Sequence, residues 1–244
     1  MKVSILIPVY NEFRTFGQVI ERVRRAPLPA GSTKEIIVID DGSTDGTTQM
    51  LAEYAQSGAI AVHRTAGNSG KGSALRTGIA LASGDIVLIQ DGDLEYDPND
   101  YARILEPIVN GEADIVYGSR FLGGRPAPAM AFRNRIANRI LTAAANLIYG
   151  ARITDEATAY KAFRTAVLRQ IRLVCRRFEF CPEVTAKARR LGYRIREVPV
   201  SYNARGIAEG KKIRARDGFE ALWTLVKYRF LPLSSVRRSG APKP

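Results

Sequence analysis

The stretch LIQDGDLEYDP, residues 88–98, runs an apolar segment directly into four carboxylates at alternate positions. Continuous apolar residues, without polar alternation, are typical of a strand that is buried on both faces of a parallel sheet. On an extended chain the like charges of Asp91 and Asp93 repel each other unless a cation lies near them. The stretch therefore predicts a buried strand that delivers two carboxylates to a cation.

On either side of this strand, the first half of the chain alternates apolar runs with helical patterns. The predicted strands are residues 3–9, 35–40, 60–63, 86–90 and 115–118, and the predicted helices are residues 15–25, 46–56 and 70–83. Strands separated by helices indicate a Rossmann-like α/β fold with a mostly parallel sheet flanked by helices. Ligands of such sheets bind beyond the carboxyl ends of the strands. We expect PVYNE, DDGSTDGT and DGDLEYDP, which follow three of the strands, to meet at one edge.

Composition favours a folded, reduced protein. The 244 residues are 45% hydrophobic, which is ordinary for a globular chain. Cys175 and Cys181 are too few for a disulfide framework or a cysteine metal site, which favours a cytoplasmic setting. The first apolar run contains Pro8 and no small-residue cleavage site, and no later run approaches the roughly 20 residues of a membrane span. We expect a soluble or peripherally bound protein.

Charge is distributed unevenly along the chain. The net charge is +13, yet residues 1–120 carry 11 Lys/Arg against 16 Asp/Glu, and residues 121–244 carry 26 against 8. A basic half suits an anionic partner, which leaves nucleic acid, a membrane surface and a phosphorylated substrate open. No nucleic-acid-binding module is recognisable, so we expect no nucleic-acid partner.

The second half predicts a basic part of the same domain. A Gly/Pro loop precedes a helix over residues 132–149, in which apolar positions recur at helical spacing after a basic start. This helix either packs on the core or also touches a membrane. A helix at 182–191, a strand at 193–200 and a helix ending near 230 follow. We expect one domain over residues 1–230, divided into a nucleotide-facing part, 1–120, and a basic acceptor part, 121–230, with a disordered tail at 231–244.

The acidic cluster predicts a hard divalent cation. Carboxylate oxygens select Mg²⁺ or Mn²⁺, and Mg²⁺ commonly combines one or two carboxylates with substrate phosphates. Gly92 between the two aspartates allows a ligand to approach the backbone closely. Asp97 before Pro98 is instead a helix-start signal. No G-x-G-x-x-G follows the first strand and no P-loop occurs, which disfavours a dehydrogenase or a P-loop ATPase.

The ordered motifs resemble family 2 glycosyltransferases, specifically the dolichyl-phosphate mannose synthase-like group of polyprenyl-phosphate glycosyltransferases. The motifs are SILIPVYNE, IIVIDDGSTDGT, GNSGKGSALRTG, IQDGDLEYDP, VYGSRF, TDEATAYKAFR, FEFCPEVTAKARRLGY and EVPVSYNARGIAEGKKI. The resemblance runs from Val3 to about Tyr228. It implies a GT-A-type fold and a metal-dependent, inverting transfer of sugar from GDP-mannose or a UDP-hexose to polyprenyl or dolichyl phosphate.

The resemblance also assigns roles to individual positions. It places the nucleotide pocket at Pro8, Tyr10, Glu12, Ile39 and Asp41. It places the metal and the donor diphosphate at Asp91, Gly92 and Asp93, and the basic residues that reach donor and acceptor phosphates at Arg120, Arg205 and Lys211. Gly92 stands where relatives more often have alanine, and Glu95 where many have glutamine, so Glu95 either ligates the metal or lies just outside its ligands.

The acceptor decides whether a base is needed. A lipid phosphate, whose second pKa is about 6 by analogy with phosphorylated side chains, attacks without one. A saccharide or glycolipid hydroxyl needs a carboxylate base. Asp155, which matches a position that is acidic in relatives, or Glu156 would be that base, unless Asp155 and Thr158 only organise a helix start.

Relatives often continue into membrane helices, whereas no apolar run in this sequence is long enough to span a bilayer. The resemblance therefore predicts peripheral association with the cytoplasmic face of a membrane. That contact would be made through the basic face, through the 132–149 helix or through a separate membrane protein.

Overall fold

The computed structural model describes residues 1–123, 130–204 and 215–238. The strands are β1 (Lys2–Val9), β2 (Thr33–Asp40), β3 (Ala61–Arg64), β4 (Ile86–Ile89), β5 (Ile115–Ser119), β6 (Lys161–Arg164) and β7 (Arg196–Pro199). The helices are α1 (Phe13–Arg25), α2 (Thr47–Gln56), α3 (Lys71–Leu81), α4 (Tyr101–Val109), α5 (Phe132–Tyr149), α6 (Thr165–Gln170), α7 (Phe180–Arg190) and α8 (Ala215–Phe230). Short 3₁₀ turns lie at Pro98–Asp100 and Leu233–Ser235.

The described strands form one sheet in the order β3-β2-β1-β4-β6-β5-β7. The first four are parallel to one another, and β7 is parallel to β5. β6 runs antiparallel to both of its neighbours, β4 and β5. The predicted α/β fold, with a mostly parallel sheet flanked by helices, is confirmed.

Both faces of the sheet are covered, which explains why the central strands are apolar without alternation. In β1, Ile5 packs with residues of α1 and α4 on one face, and Leu6 packs with residues of α3 and α7 on the other. Both side chains are fully buried. Burial of one such side chain stabilises the fold by roughly 1.5–3 kcal/mol.

The sequence interpretation missed β6 and α6, which share the short segment 161–170. Their length is below that at which periodicity distinguishes a strand from a helix. The predicted strand at 193–200 is shorter in the structure. No helix of the described residues is long and apolar enough to span a bilayer.

The prediction of a disordered tail from residue 231 is wrong for residues 231–238. Val236 is fully buried, and its carbonyl oxygen accepts a hydrogen bond from the backbone N–H of Arg172 at 2.8 Å. Arg238 donates its backbone N–H to Gln170 at 2.9 Å. These contacts extend the domain to residue 238, while residues 239–244 lie outside the described part of the chain.

Candidate active site

Asp91 and Asp93 lie directly after β4, where the sequence predicted them. Lys71, the first residue of α3, forms an ion pair with Asp91 through its Nζ and the Asp91 Oδ1. Burial lowers the pKa of the Lys71 ammonium, but the attraction to Asp91, Cys181 and Asp93 and the hydrogen bond to Asp91 together outweigh that effect, so the pKa is raised overall. Part of the positive charge expected beside the two carboxylates therefore comes from the chain itself.

Gly92 brings these carboxylates close to the end of β1. A Cβ atom built on Gly92 would lie 3.2 Å from Cγ2 of Val9 and 3.3 Å from the carbonyl oxygen of Pro8. These distances are tighter than ordinary van der Waals contact. The absence of a side chain at Gly92 thus allows the Asp91–Asp93 segment to pack against β1.

The segment after Asp93 is held by hydrogen bonds. Asp93 Oδ1 accepts from the backbone N–H of Glu95 at 3.0 Å, and Glu95 Oε2 accepts from the Tyr202 hydroxyl at 2.8 Å. Asp97 accepts from the backbone N–H of Asn99 at 3.0 Å and caps the 3₁₀ turn before α4, as its sequence predicted. The metal-ligand role of Glu95 stays a prediction, and its carboxylate already has a partner in Tyr202.

Gln90, which the sequence interpretation did not single out, anchors the strand end beneath the aspartates. Its side chain is fully buried, and Oε1 accepts from the hydroxyls of Tyr101 at 2.7 Å and Tyr160 at 2.6 Å. Its backbone N–H donates to Leu6 in β1 at 3.0 Å. A buried amide with these partners fixes the position from which Asp91 emerges.

The two aspartates fit a divalent cation that is shared with a ligand. Among residues 1–123, 130–204 and 215–238, no group of three or more His, Cys, Asp or Glu side chains converges on one metal position. Two hard carboxylates are nevertheless sufficient for Mg²⁺ or Mn²⁺ when phosphate and water supply the other ligands. Asp91 and Asp93 have the chemistry to hold such an ion on a diphosphate.

The loops after β1 and β2 are tied together at the same edge. Asn11 adopts a left-handed conformation with φ of 53°. Its Oδ1 accepts from the backbone N–H of Thr44 at 2.8 Å, and its own N–H donates to Ser43 Oγ at 3.0 Å. A short amide side chain tolerates this conformation and bonds locally. These bonds hold the PVYNE and DDGSTDGT segments together, as the sheet topology predicted.

Asp41 organises the loop before α3. Its buried carboxylate accepts from the backbone N–H groups of Ser69 at 2.9 Å and Gly70 at 2.7 Å. Gly42 has a φ of +76°, and an added Cβ there would lie 2.7 Å from Cα of Gly67. A glycine at this position therefore allows the loop to approach the end of β2 closely. Asp41 therefore holds the loop that delivers Lys71 to the site, and its contact with a nucleotide stays a prediction.

The other residues that are predicted to bind the donor nucleotide lie around this edge of the sheet. Pro8 of β1 and Ile39 of β2 are register partners, and the Ile39 side chain is buried in the core. Tyr10 and Glu12 are partly buried in the turn between β1 and α1. Glu12 Oε2 accepts from the Thr15 hydroxyl at 2.9 Å. Their nucleotide contacts stay predictions.

Arg120 and Asp155 form a buried, bidentate ion pair. Arg120 Nε donates to Asp155 Oδ2 and Nη2 donates to Oδ1, each at 2.7 Å. Asn138 of α5 donates to Asp155 Oδ1 at 3.0 Å. The Arg120 guanidinium also lies 4.9 Å from the ring centroid of Tyr202, the partner of Glu95. This network links the segment after Asp93 to α5.

The carboxylate of Glu156, which follows Asp155 of the Arg120–Asp155 pair in sequence, is buried. Among the described residues, neither of its carboxylate oxygens has a hydrogen-bond partner. Burial raises the pKa of Glu156 to about 8, although the nearby Lys161 ammonium and Thr185 hydroxyl act in the opposite direction. That hydroxyl is instead paired with the hydroxyl of Tyr117 at 2.9 Å. A carboxylate that is fully buried is poorly placed to take a proton from a substrate hydroxyl.

Arg205 and Lys211, the predicted phosphate-binding residues of the second half, lie outside the described residues. Sequence reasoning missed Lys71, Gln90, Asn138 and Tyr202. For Lys71 a signal is present, because the lysine stands between glycines in the motif GNSGKGS, close to the start of a predicted helix.

The chain is similar in sequence to known proteins. Residues 4–172 match the sequence profile of the family described as Glycosyl transferase family 2. A dolichol-phosphate mannosyltransferase from Pyrococcus furiosus is 30% identical over 250 residues, which cover 98% of this chain and 69% of that protein. A dodecaprenyl-phosphate galacturonate synthase from Rhizobium johnstonii is 27% identical over 207 residues, which cover 84% of this chain and 60% of that protein. The chain thus spans only part of the length of these relatives.

A solved structure has the same fold. It is the glucosyl-3-phosphoglycerate synthase from Mycobacterium tuberculosis in complex with Mn²⁺, UDP-glucose and phosphoglyceric acid. Its TM-score is 0.69 at 24% sequence identity, and the match covers 96% of this chain and 81% of that chain.

Proposed function

The chain belongs to glycosyl transferase family 2, and from that premise we propose that it moves a sugar from a nucleotide-diphosphate sugar to a polyprenyl or dolichyl phosphate. GDP-mannose and UDP-hexoses are the donor candidates. The observation that carries the proposal is the convergence of Asp91, Asp93 and Lys71 at the carboxyl edge of a GT-A-type sheet. Relatives named for dolichol-phosphate and dodecaprenyl-phosphate substrates support the acceptor class.

The donor end of the reaction requires positive charge at the diphosphate. Asp91 and Asp93 would hold Mg²⁺ or Mn²⁺, which when bound supplies Lewis-acid stabilisation of the departing nucleoside diphosphate. The Lys71 ammonium, beside Asp91, adds a fixed positive charge on the same side. Gln90 and Gly92 keep the two carboxylates in place against β1.

The acceptor end requires orientation more than a base. A phosphate monoester is substantially dianionic at neutral pH, so one of its oxygens can attack the anomeric carbon directly. The new bond forms between that oxygen and the anomeric carbon. The bond from the anomeric carbon to the β-phosphate oxygen breaks, and its electron pair leaves with the nucleoside diphosphate. Single displacement from the opposite side inverts the anomeric configuration.

The surroundings of Asp155 favour a phosphate acceptor over a hydroxyl acceptor. Both carboxylate oxygens of Asp155 are occupied by Arg120, and one also accepts from Asn138. A general base needs an accessible oxygen within reach of the proton that it removes. We therefore assign Asp155 the role of orienting Arg120, and Arg120 the role of supplying positive charge near the reacting phosphates. Arg205 and Lys211 are proposed to add to this charge.

The lipid acceptor would be met at the cytoplasmic face of a membrane. A long prenyl chain stays in the bilayer, so the enzyme has to bring its active site to the surface where the phosphate lies. Peripheral binding of this chain, or binding through a membrane protein, would satisfy that requirement.

The proposal is tested by incubating the protein with radiolabelled GDP-mannose or UDP-glucose and either a polyprenyl phosphate or the matching prenyl alcohol, with Mn²⁺ or with EDTA. We expect label in the organic phase only with the phosphate acceptor and the metal. Transfer to the alcohol but not to the phosphate would assign the chain to hydroxyl acceptors instead.

A further inference from the structure

The first turn of helix α3 carries Lys71 and begins directly after a glycine. Gly70 has no side chain with which to cap the helix, and the first turn contains no acidic residue. The positive end of the helix dipole disfavours a cation such as Lys71, and the first N–H groups of a helix have no partner within it. The start of α3, and with it the position of Lys71, therefore depends on contacts from elsewhere in the chain.

These contacts come from residues 172–177, a segment that is distant from α3 in sequence. The backbone N–H of Gly72 donates to the carbonyl oxygen of Arg177 at 2.9 Å. The backbone N–H of Ser73 donates to the carbonyl oxygen of Arg176 at 3.0 Å. The two carbonyl groups thus satisfy N–H groups that a side-chain cap would otherwise serve. Segment 172–177 therefore determines where α3 begins.

Helix α7 holds the first part of this segment through two buried charged side chains. The Glu183 carboxylate accepts from the backbone N–H of Val174 at 2.9 Å and from that of Cys175 at 2.7 Å. The Lys187 ammonium pairs with Glu183 and donates to the carbonyl oxygen of Arg172. Glu183 is 1% exposed and Lys187 is fully buried. The pair thus fixes the backbone of the segment from the interior of the protein.

Glu179, the residue before α7, holds the last part of the segment. Its Oε1 accepts from the backbone N–H of Arg176 at 2.6 Å, and its Oε2 accepts from that of Arg177 at 2.9 Å. The carbonyl groups of the same two residues are those that accept from α3. A chain of hydrogen bonds therefore links α7, through this segment, to the first turn of α3. We call Glu179, Glu183 and Lys187 the α7 anchor.

The buried pair of the α7 anchor is better explained by position than by stability. A buried ion pair adds little net stability, because the loss of hydration of both charges offsets their attraction. Burial lowers the pKa of the Lys187 ammonium, and the Glu183 carboxylate beside it acts in the opposite direction. What the pair does provide is a fixed arrangement of the segment that its hydrogen bonds contact.

We propose that the α7 anchor positions Lys71 beside Asp91, by holding segment 172–177 against the first turn of α3. Its members act through this segment and are therefore positioning residues. The proposal rests on the proposed function in one respect, because the position of Lys71 affects sugar transfer only if the donor diphosphate binds at Asp91 and Asp93. Without the anchor, the first turn of α3 should fray, and Lys71 should leave Asp91.

Amide hydrogen exchange of the full chain, measured by NMR without ligand, tests the first step. Glu179→Ala and Lys187→Met each remove hydrogen bonds to segment 172–177. Each substitution should speed the exchange of Gly72 and Ser73 by on the order of tenfold. Glu179 is partly exposed, so Glu179→Ala keeps the test valid if Lys187→Met does not fold. Unchanged exchange at Gly72 and Ser73 would overturn the proposal.

Lys34→Met is the matched control for Lys187→Met. The Lys34 ammonium also donates to backbone carbonyl oxygens, those of Val23 at 3.0 Å and Ala26 at 2.6 Å near the end of α1. Its loss should leave exchange at the first turn of α3 unchanged. Exchange of the amides of β1 reports on unfolding of the whole domain. If the anchor variants speed exchange at α3 and at β1 equally, or if Lys34→Met speeds it at α3 as much as they do, the proposal is wrong.

The affinity of the free protein for Mn²⁺, measured by electron paramagnetic resonance, tests the second step. Lys71→Met removes the ammonium that pairs with Asp91. Glu179→Ala should shift the affinity in the same direction, by about threefold, and should have no further effect in the Lys71→Met background, because both changes act through one contact. An equal effect of Glu179→Ala in both backgrounds would show that the anchor acts on the site by another route, and would overturn the proposal.

These outcomes are distinguishable from failure of the proposed function. Hydrogen exchange involves neither sugar nor lipid, so faster exchange at α3 in a protein that transfers no sugar would retain the anchor and refute the proposed function. If the wild type transfers sugar to polyprenyl phosphate, Glu179→Ala should lower kcat/KM for the donor and leave the KM of the acceptor unchanged. A wild-type kcat/KM in Glu179→Ala, together with faster exchange at α3, would show that transfer does not use the position of Lys71, and would overturn the proposal.

Discussion

Arg120 and Asp155 are joined by two parallel hydrogen bonds of 2.7 Å, from Nε and Nη2 to the two carboxylate oxygens, and both side chains are buried. The backbone N–H of Arg120 adds a third bond to Asp155 Oδ2 at 3.0 Å. Such a pair fixes both partners in position. Because Asp155 is fully engaged, its charge serves to hold Arg120, and a substrate proton has no free oxygen to reach.

Asp155→Asn should destabilise the protein by about 3–5 kcal/mol, since it leaves the Arg120 guanidinium buried without its counter-ion. The free energy of unfolding is measured from urea titrations. Asp114→Asn is the matched control, because Asp114 pairs with Arg164 at 3.1 Å in an exposed setting and should cost below about 1 kcal/mol. Equal costs for the two variants would contradict a structural role for the buried pair.

Asp93→Asn should lower sugar transfer by on the order of 10²-fold or more, because a neutral amide holds a divalent cation on a diphosphate poorly. Its melting temperature should stay near that of the wild type. Asp97→Asn is the matched control, because it removes a carboxylate from the same acidic stretch without touching the predicted metal ligands. Asp97 caps the 3₁₀ turn through Asn99, and asparagine is an equally good cap, so near-normal activity is expected. Near-normal turnover of Asp93→Asn would remove the metal role.

Lys71→Met should tighten binding of Mn²⁺ to the free enzyme, on the order of tenfold, because the ammonium no longer competes for Asp91. Free Mn²⁺ is followed by electron paramagnetic resonance in the absence of nucleotide. Lys227→Met, which removes an exposed charge on α8, should leave the affinity unchanged. Weaker Mn²⁺ binding by Lys71→Met than by the wild type would show that Lys71 organises the carboxylates rather than competing for them.

The raised pKa of Glu156 predicts that the protein loses stability as the pH rises. Burial raises its pKa to about 8 in the folded protein, from an ordinary value of about 4.5, so unfolding releases a proton between these pH values. Below about pH 4.5 the carboxyl group is protonated in both states and does not lower the free energy of unfolding. As the pH rises from about 4.5 to about 8, the free energy of unfolding falls, and above about pH 8 the loss is complete. Asp155, Glu197 and the Lys161 ammonium are the charged groups that act on it.

Glu156→Gln should therefore be more stable than the wild type at pH 8 and about equally stable near pH 4.5, measured as urea midpoints at each pH. Glu53→Gln, at an exposed position on α2, should change neither value. A Glu156→Gln protein that is less stable than the wild type at pH 8 would show that the ionised carboxylate contributes to folding.

The sequence predicted the elements whose signals are local. The strand at 86–90, the aspartates after it and the Asp97 cap all depend on residues that are adjacent in the chain. The bounds of α5 were also predicted, yet its orientation was open. Asn138 and Thr142 face inward together with Leu141 and Ala145 because the two polar side chains have partners at residues 155–157, which are distant in sequence.

Elements that depend on tertiary contacts escaped prediction for the same reason. β6 is four residues long and is defined by antiparallel pairing with β4 and β5. Lys71 reaches Asp91 only because α3 begins beside the end of β4, and this placement depends on tertiary contacts. Segment 231–238 resembles a tail in composition, and its order comes from packing of Val236 and from bonds to residues 170–172.

The most direct test of the central claim uses two donors in parallel, one labelled in the sugar and one labelled in the β-phosphate. With polyprenyl phosphate and Mn²⁺, we predict that the sugar label enters the organic phase and the β-phosphate label stays in the aqueous phase, and that EDTA abolishes transfer. This outcome requires cleavage between the anomeric carbon and the β-phosphate oxygen. Appearance of both labels in the lipid would mean transfer of a phosphosugar, and sugar transfer that persists in EDTA would contradict the role assigned to Asp91 and Asp93.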